Sequence, residues 1–272
     1  MRGVSWWLRS EPLALAALGF LLLISLLAIG ADVFAPFDPL AMNLRSRNMP
    51  PGTAATSEGW ISSHLLGTDP LGRDILSRII YGARVSLIVG ITSVLLSGSI
   101  GVLLGLVSGY RRGWVDEILM RIVDIMLGVP ALLLVLLILF FFGRGLVQLV
   151  VVFGIIRWPA YARITRGLML SMREQPFVEG ALALGASTPR IIFRHILPNL
   201  VSPIIVIASL EMAIVILAEA GLSFLGLGLQ PPTPSWGLSV ASGRNYIREA
   251  WWVVTIPGLA ILATTMSLNL LG

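Results

Sequence analysis

The sequence predicts an all-α membrane protein, a polytopic bundle of about six transmembrane helices. Three observations carry this. Of 272 residues, 56% are hydrophobic and only 12% charged, and the mean hydropathy is +0.90; soluble domains carry about 25% charged residues. The uncharged runs match the ~20 residues that a helix needs to cross the ~30 Å hydrocarbon core. The chemistry of a soluble enzyme is also missing. All 19 basic side chains are arginine, so neither a phosphate-loop lysine nor a Schiff-base lysine is available. There is no cysteine for a disulfide, iron–sulfur cluster or zinc–thiolate site. Two histidines, His64 and His195, are too few for a histidine-rich metal centre. No catalytic, cofactor or metal site is expected in this chain. The net charge of +5 and pI near 10.6 fit arginines facing the cytoplasm and anionic lipid better than a nucleic-acid site.

The spans follow in chain order at 13–29, 85–110, 122–142, 145–162, 200–223 and 251–271. The first has the outline of a signal peptide, with Arg2 and Arg9 ahead of it and small residues at Ala28-Ile29-Gly30-Ala31. Its apolar run exceeds the ~7–15-residue signal core, so it is expected to stay as a helix. Pro130 should kink the third span. Arg157 interrupts the fourth, as an arginine near a helix end can. Arginine in the short loops orients the bundle. Arg2, Arg9, Arg111, Arg112, Arg157, Arg163, Arg166, Arg173, Arg190 and Arg194 fall on one side, and Arg144 alone in the short loop opposite. Both termini are therefore expected in the cytoplasm, although Arg45, Arg47, Arg73, Arg78, Arg244 and Arg248 lie in longer outer segments.

Three segments lie outside the spans. Residues 35–66 are rich in Pro, Ser, Thr and Gly and read as an irregular outer loop. Residues 71–84 read as an interfacial helix with Asp69 as N-cap, Pro70 at N1 and an Asp74–Arg78 ion pair. The competing reading is an extension of span two. The third segment, 163–199, is the long inner loop.

That loop is too apolar to be a solvated linker. Pro176 can start a helix, and Gly185 suits its C′ position, where a positive φ costs least. Thr188-Pro189 reads as N-cap and N1 of a second short helix with Ile191, Ile192 and Phe193, followed by Pro198. Glu179 stands in the first turn of the first helix, where negative charge is favoured. Small residues at Gly180, Ala181, Ala183 and Ala186 would let another surface approach. Read from the residues alone, the loop either docks a cytoplasmic partner or packs on its own bundle.

Residues 179–199, EGALALGASTPRIIFRHILPN, resemble the cytoplasmic coupling motif of importer-type ABC permeases. Glu179, Ala181, Gly185, Leu197 and Pro198 fall in register with it, and Gly180 replaces the first alanine. The Arg194-His195…Leu197-Pro198-Asn199 ending is the form usual in the peptide-permease branch. Residues 64–87, HLLGTDPLGRDILSRIIYGARVSL, 219–237, EAGLSFLGLGLQPPTPSWG, and 251–272 are similar to the same branch. The resemblance covers nearly the whole chain and points to the second, "C-type" subunit of dipeptide, oligopeptide and nickel permeases. Such subunits continue past the last helix with Gly-Asp and a charged tail. This sequence stops at Gly272, so its end is expected to be cut or unusually short.

The resemblance implies a function and a set of partners. The chain would be one permease of a binding-protein-dependent importer in a bacterial or archaeal cytoplasmic membrane. It would pair with a second homologous permease to form the translocation path. Two ABC ATPase subunits would bind below, holding ATP and Mg, and an extracytoplasmic solute-binding protein would deliver a di- or oligopeptide or similar small solute. Glu179, Gly180, Ala181, Gly185, Ala186, Leu197 and Pro198 would couple the permease to the ATPases. Neither cofactor chemistry nor nucleic acid would involve this chain.

Other polar and small residues sit within the spans. Ser97, Gly101, Gly105 and Gly109 form a small-residue row for close helix packing, within the bundle or against the second permease. Asp124 can meet Arg121 three residues before it. Glu211 lies ~16 Å into its span, where an acidic group faces a cavity or a partner. It is a candidate for the translocation path, with a buried partner such as Arg121, or a protonated structural carboxyl, as the alternatives. An ion-coupled secondary transporter would also use such a carboxylate, but it would need internal repeats that this sequence does not show.

Overall fold

The computed structural model describes residues 12–55 and 59–272. Arg2 and Arg9, with the signal-peptide question attached to them, lie outside the described residues. The chain opens with α1, Pro12–Ile29, and a single turn, α2, Ala31–Phe34. A short antiparallel pair follows, β1 (Thr53–Ala54) and β2 (Ser63–His64), with Thr53 opposite His64. Then come α3 (Ile75–Arg111), α4 (Gly113–Gly128), α5 (Ala131–Phe142) and α6 (Leu146–Arg173). The loop helices are α7 (Pro176–Ala183) and α8 (Thr188–Arg190). A π-helical turn, Ile191–Ile196, leads into α9 (Leu197–Phe224), and α10 (Trp236–Gly243) and α11 (Trp252–Leu271) complete the chain.

Five described helices are long and apolar enough to cross a membrane, and the α4–α5 pair makes a sixth if its two arms count as one span. Side chains such as Leu13, Leu22 and Phe140 stand well exposed on these helices. A helix that is apolar all round fits lipid, which solvates it without a partner.

The structure corrects three local readings. Residues 71–84 do not form a separate interfacial helix: α3 begins at Ile75 and runs unbroken to Arg111. Asp74, not Asp69, caps it, because the Ser77 N–H donates to Asp74 Oδ2 at 2.8 Å. Asp69 instead closes the preceding turn, accepting from the Leu71 and Arg73 N–H groups at 2.8 and 3.0 Å. That turn needs Gly72, whose φ is +73° and whose added Cβ would lie 1.8 Å from Asn43 O. Span three does more than kink. Val129 is extended before Pro130 (φ −90°, ψ 132°), and the chain turns by 89° between α4 and α5. Finally, Pro198 does not end a short helix. Leu197 N–H bonds back to Ile192 O, and this widened turn carries the chain into α9 despite the missing Pro198 N–H.

The chain forms two compact units. The first comprises residues up to Ile91, Arg144–Leu149 and Met212–Leu271; the second comprises Thr92–Gly143 and Val150–Glu211. In the first, Ile24 and Ala28 of α1, Ala83 and Leu87 of α3, Ile216 and Ala220 of α9, and Ile261 of α11 close around Trp236. The Trp236 indole N–H donates to Ile79 O at 2.9 Å, so its one polar atom is satisfied in the core. In the second unit the glycine row of α3 lies against α6. A Cβ at Gly101, Gly105 or Gly109 would come within 2.3 Å of Trp158 O, 2.6 Å of Ala162 O or 2.7 Å of Met169 Cβ. The row is used for packing inside the unit.

Candidate functional site

The loop between α6 and α9 has a buried base and an exposed crown. Its base is set by α7, which Pro176 opens and Gly185 closes. Gly185 has φ +77°; its N–H donates to Leu182 O at 2.9 Å, and Ala186 N–H donates to Ala181 O at 3.0 Å. These two bonds are the Schellman closure, which satisfies the last carbonyls of α7 and reverses the chain. The cap of the next helix is Ser187, one residue earlier than Thr188. Val178, Ile191 and Ile196 are fully buried against Leu106, Met169 and Leu200. Ala181, Ala186 and Leu197 pack partly buried against the same cluster.

Polar contacts fix this base to the ends of α3 and α6. Arg173 donates to Tyr110 O at 2.5 Å and lies over the Tyr110 ring at 5.2 Å. The Tyr110 and Thr188 hydroxyls are 3.2 Å apart, and Arg112 meets Glu174 at 2.7 Å. These contacts join the base of the loop to the ends of both helices.

The crown carries residues to which the sequence reading gave no docking role. Leu184 is 90% exposed, with Phe193 at 55%, Leu182 at 48% and Phe177 at 44%. Glu179, Gly180, Gly185 and Pro198 are exposed among them, and the Cβ directions of Gly180 and Gly185 meet nothing within 4 Å. Glu179, Gly180, Ala181, Gly185 and Ala186 are in this loop and Leu197 and Pro198 open α9, and the set divides. Ala181, Ala186 and Leu197 support the base, and the others reach the surface. Helical spacing did not signal the exposed leucines: Leu182 stands four residues after buried Val178, on the same face of the ideal helix, and Leu184 lies past the last residue of α7.

Glu211 is 6% exposed and holds Arg157 through two bonds, 2.6 Å to Nε and 2.7 Å to Nη2. Its partner is thus Arg157 of α6 rather than Arg121. A bidentate pair of this kind neutralises both groups inside an apolar environment. Asp124 likewise pairs with Arg163, not Arg121. Asp116 binds Arg166 at 2.5 and 2.6 Å and also takes the Ser108 hydroxyl. Sequence spacing could not reveal these pairs, because 39 to 54 residues separate the partners. A free carboxylate for ion coupling is not what Glu211 offers, which removes the main support for a secondary transporter.

The comparisons bear on the whole chain. Residues 101–272 match the family described as "Binding-protein-dependent transport system inner membrane component". Residues 2–51 match the "N-terminal TM domain of oligopeptide transport permease C". The chain is 44% identical to the di/tripeptide transport system permease protein DppC of Pseudomonas aeruginosa, over 95% of this chain and 84% of that protein. It is 41% identical to the dipeptide permease DppC of Haemophilus influenzae, over 95% and 87% of the two chains. It is also 41% identical to the glutathione permease GsiD of Pectobacterium atrosepticum, over 98% and 87%. Among solved structures, a chain of the MetNI methionine ABC transporter in inward-facing conformations superposes with a TM-score of 0.60 at 16% identity. That match covers 71% of this chain and 91% of that one, and shows a shared fold.

Proposed function

The chain belongs to the binding-protein-dependent transport system inner membrane components, and it is a permease rather than an enzyme; from that premise we propose how it works and with what. The chain forms one half of a translocation path with a second, homologous permease. Two ABC ATPases dock on the loop between α6 and α9, hold the ATP and Mg, and drive the cycle. A solute-binding protein delivers a di- or oligopeptide, or a comparable small solute such as glutathione, as the relatives' names indicate. The membrane is a bacterial or archaeal cytoplasmic membrane, with the N-terminus and this loop in the cytoplasm.

One observation carries the coupling role: the loop exposes Leu184, Leu182, Phe177 and Phe193 above a base that is fully packed. Large apolar side chains exposed on a loop outside the spans mark a docking surface. The base transmits what docks there. The π turn joins the loop to α9 without a break, α6 ends only two residues before α7, and Arg157–Glu211 ties α6 to α9. A push on α7 therefore reaches both helices together. The expected path residue Glu211 is assigned in this reading to the clamp.

The test is co-expression with the neighbouring ATPase, second-permease and binding-protein genes, followed by purification and uptake in proteoliposomes. Two ATPases per permease pair, and uptake that needs both ATP and the binding protein, would support the reading. A permease that purifies alone and carries solute without ATP would end it. Because the chain has no cysteine, single Ser187→Cys and Ala55→Cys variants report orientation. An impermeant thiol reagent outside cells should label position 55 and spare 187.

A further inference from the structure

Arg78, in the first turn of α3, is 3% exposed, and among the described residues it has no carboxylate of its own. The nearest is Asp69, whose four acceptor positions are already taken. Its Oδ1 accepts the Leu71 and Arg73 N–H groups, and its Oδ2 accepts Arg73 Nε at 2.7 Å and lies 2.6 Å from Arg73 Nη2. Arg78 Nε stands 3.7 Å from that Oδ2 and makes no hydrogen bond. The Arg78 Nη atoms have only long contacts, 3.3 Å to Pro39 O and 3.5 Å to Ser239 Oγ. Asp74, four residues before Arg78, is committed to His64 Nδ1 at 2.9 Å and to Ser77. Two buried guanidiniums thus share one carboxylate, and one positive charge is left over.

That surplus charge lines a cavity of about 270 Å³. Arg73 and Arg78 line it together with Pro231 and Thr233 of the 231–235 loop and Leu238 and Ser242 of α10. A buried guanidinium without a counter-ion is costly, and a planar two-oxygen anion matches its fork. We propose that this cavity is a carboxylate-binding site, Arg78 its chief ligand and Arg73 its support. The proposal rests on the orientation given above, which turns the cavity to the outer side. The carboxylate then has two possible sources: an acidic side chain of the docked binding protein, or the C-terminus of the peptide it delivers.

The experiment supplies a carboxylate from α10, which also lines the cavity, and leaves both arginines in place. Ser242→Glu brings one in; Ser242→Gln has the same shape without the charge. The first arm uses the purified permease complex and tens of millimolar sodium acetate against sodium chloride of equal ionic strength. Acetate should raise the thermal midpoint of wild type and Ser242→Gln by several degrees and leave Ser242→Glu unmoved. Equal responses in the two variants, or none in wild type, would overturn the proposal. This arm needs no transport, so it stands whether or not the functional reading does.

The second arm uses the reconstituted transporter to find the source. If it is the binding protein, Ser242→Glu raises its half-saturating concentration for ATPase stimulation about tenfold or more, a loss of one strong contact. If it is the solute, that value holds, and uptake of a free dipeptide falls to the level of its C-terminal amide. Either result supports the site. A transporter unchanged in both, with wild type active, would overturn it.

Discussion

Residues 64–78 and residues 176–199 break the usual rule of burial in opposite senses. The first segment buries charge: His64, Asp69, Arg73, Asp74 and Arg78 are all no more than 5% exposed. The second exposes hydrocarbon, with Leu184 at 90%. In a soluble domain charged groups go inside only when paired, and large apolar groups stay outside only at interfaces. Most polar groups of the first segment are spent on one another and on the loop before it. Asp69 closes a turn, Asp74 caps a helix and holds His64, and Ser77 reaches back to Phe37 N–H at 3.0 Å. It is a scaffold that sets where α3 begins. The loop spends its buried residues on a base and leaves the rest for something else to cover. A conspicuous motif can thus be internal architecture, and its opposite can be an interface.

The sharpest way to break this contrast is Asp69→Ala. It leaves Arg73 and Arg78 buried without their shared carboxylate, and should cost about 3–5 kcal/mol. Fluorescence-detected size exclusion should show most of the permease lost or aggregated. A monodisperse, wild-type-like peak would mean that the network is ornamental.

Glu211→Ala comes next. Arg157 is 23% exposed and can recruit some water, so the loss should be smaller, about 2–4 kcal/mol. Restoring a pair by exchange, Arg157→Glu with Glu211→Arg, should recover part of the thermal midpoint. A midpoint unchanged by Glu211→Ala would remove the clamp between α6 and α9.

Gly185→Val acts on backbone rather than charge. At φ +77° a β-branched residue is strained by about 1–2 kcal/mol, although nothing crowds the added Cβ. The permease pair should still insert, while ATPase retention on purification drops. Gly180→Ala is its control, because that site has room and an ordinary helical backbone; it should retain the ATPases.

Much of the loop was legible because its signals are local. Pro176, Gly185 and Pro189 mark helix ends by themselves, and the structure puts those ends within a residue of expectation. The spans were legible from composition alone. What escaped was set by the third dimension. The pairs Arg157–Glu211 and Arg163–Asp124 join different helices, and for Asp124 the sequence offers Arg121, three residues away, as the nearer choice. The 89° bend at Val129-Pro130 is more than a proline kink, and nothing in the one-dimensional pattern sets its size. Asp69-Pro70 looked like a helix start because Asp-Pro suits N-cap and N1. The turn at Gly72 moves the start to Ile75 and hands the cap to Asp74.

The measurement closest to the central claim is made at Leu184. Its side chain touches little of its own chain, so Leu184→Ser should change the permease's stability by less than about 0.5 kcal/mol. The same variant should lose most ATPase retention and most ATP-driven uptake, and Leu184→Cys should cross-link to an ATPase cysteine placed in its docking groove. An unchanged thermal midpoint together with uptake reduced at least about tenfold is the predicted result. Full uptake and full ATPase retention by Leu184→Ser would contradict the account, because the exposed crown of this loop would then have nothing to dock.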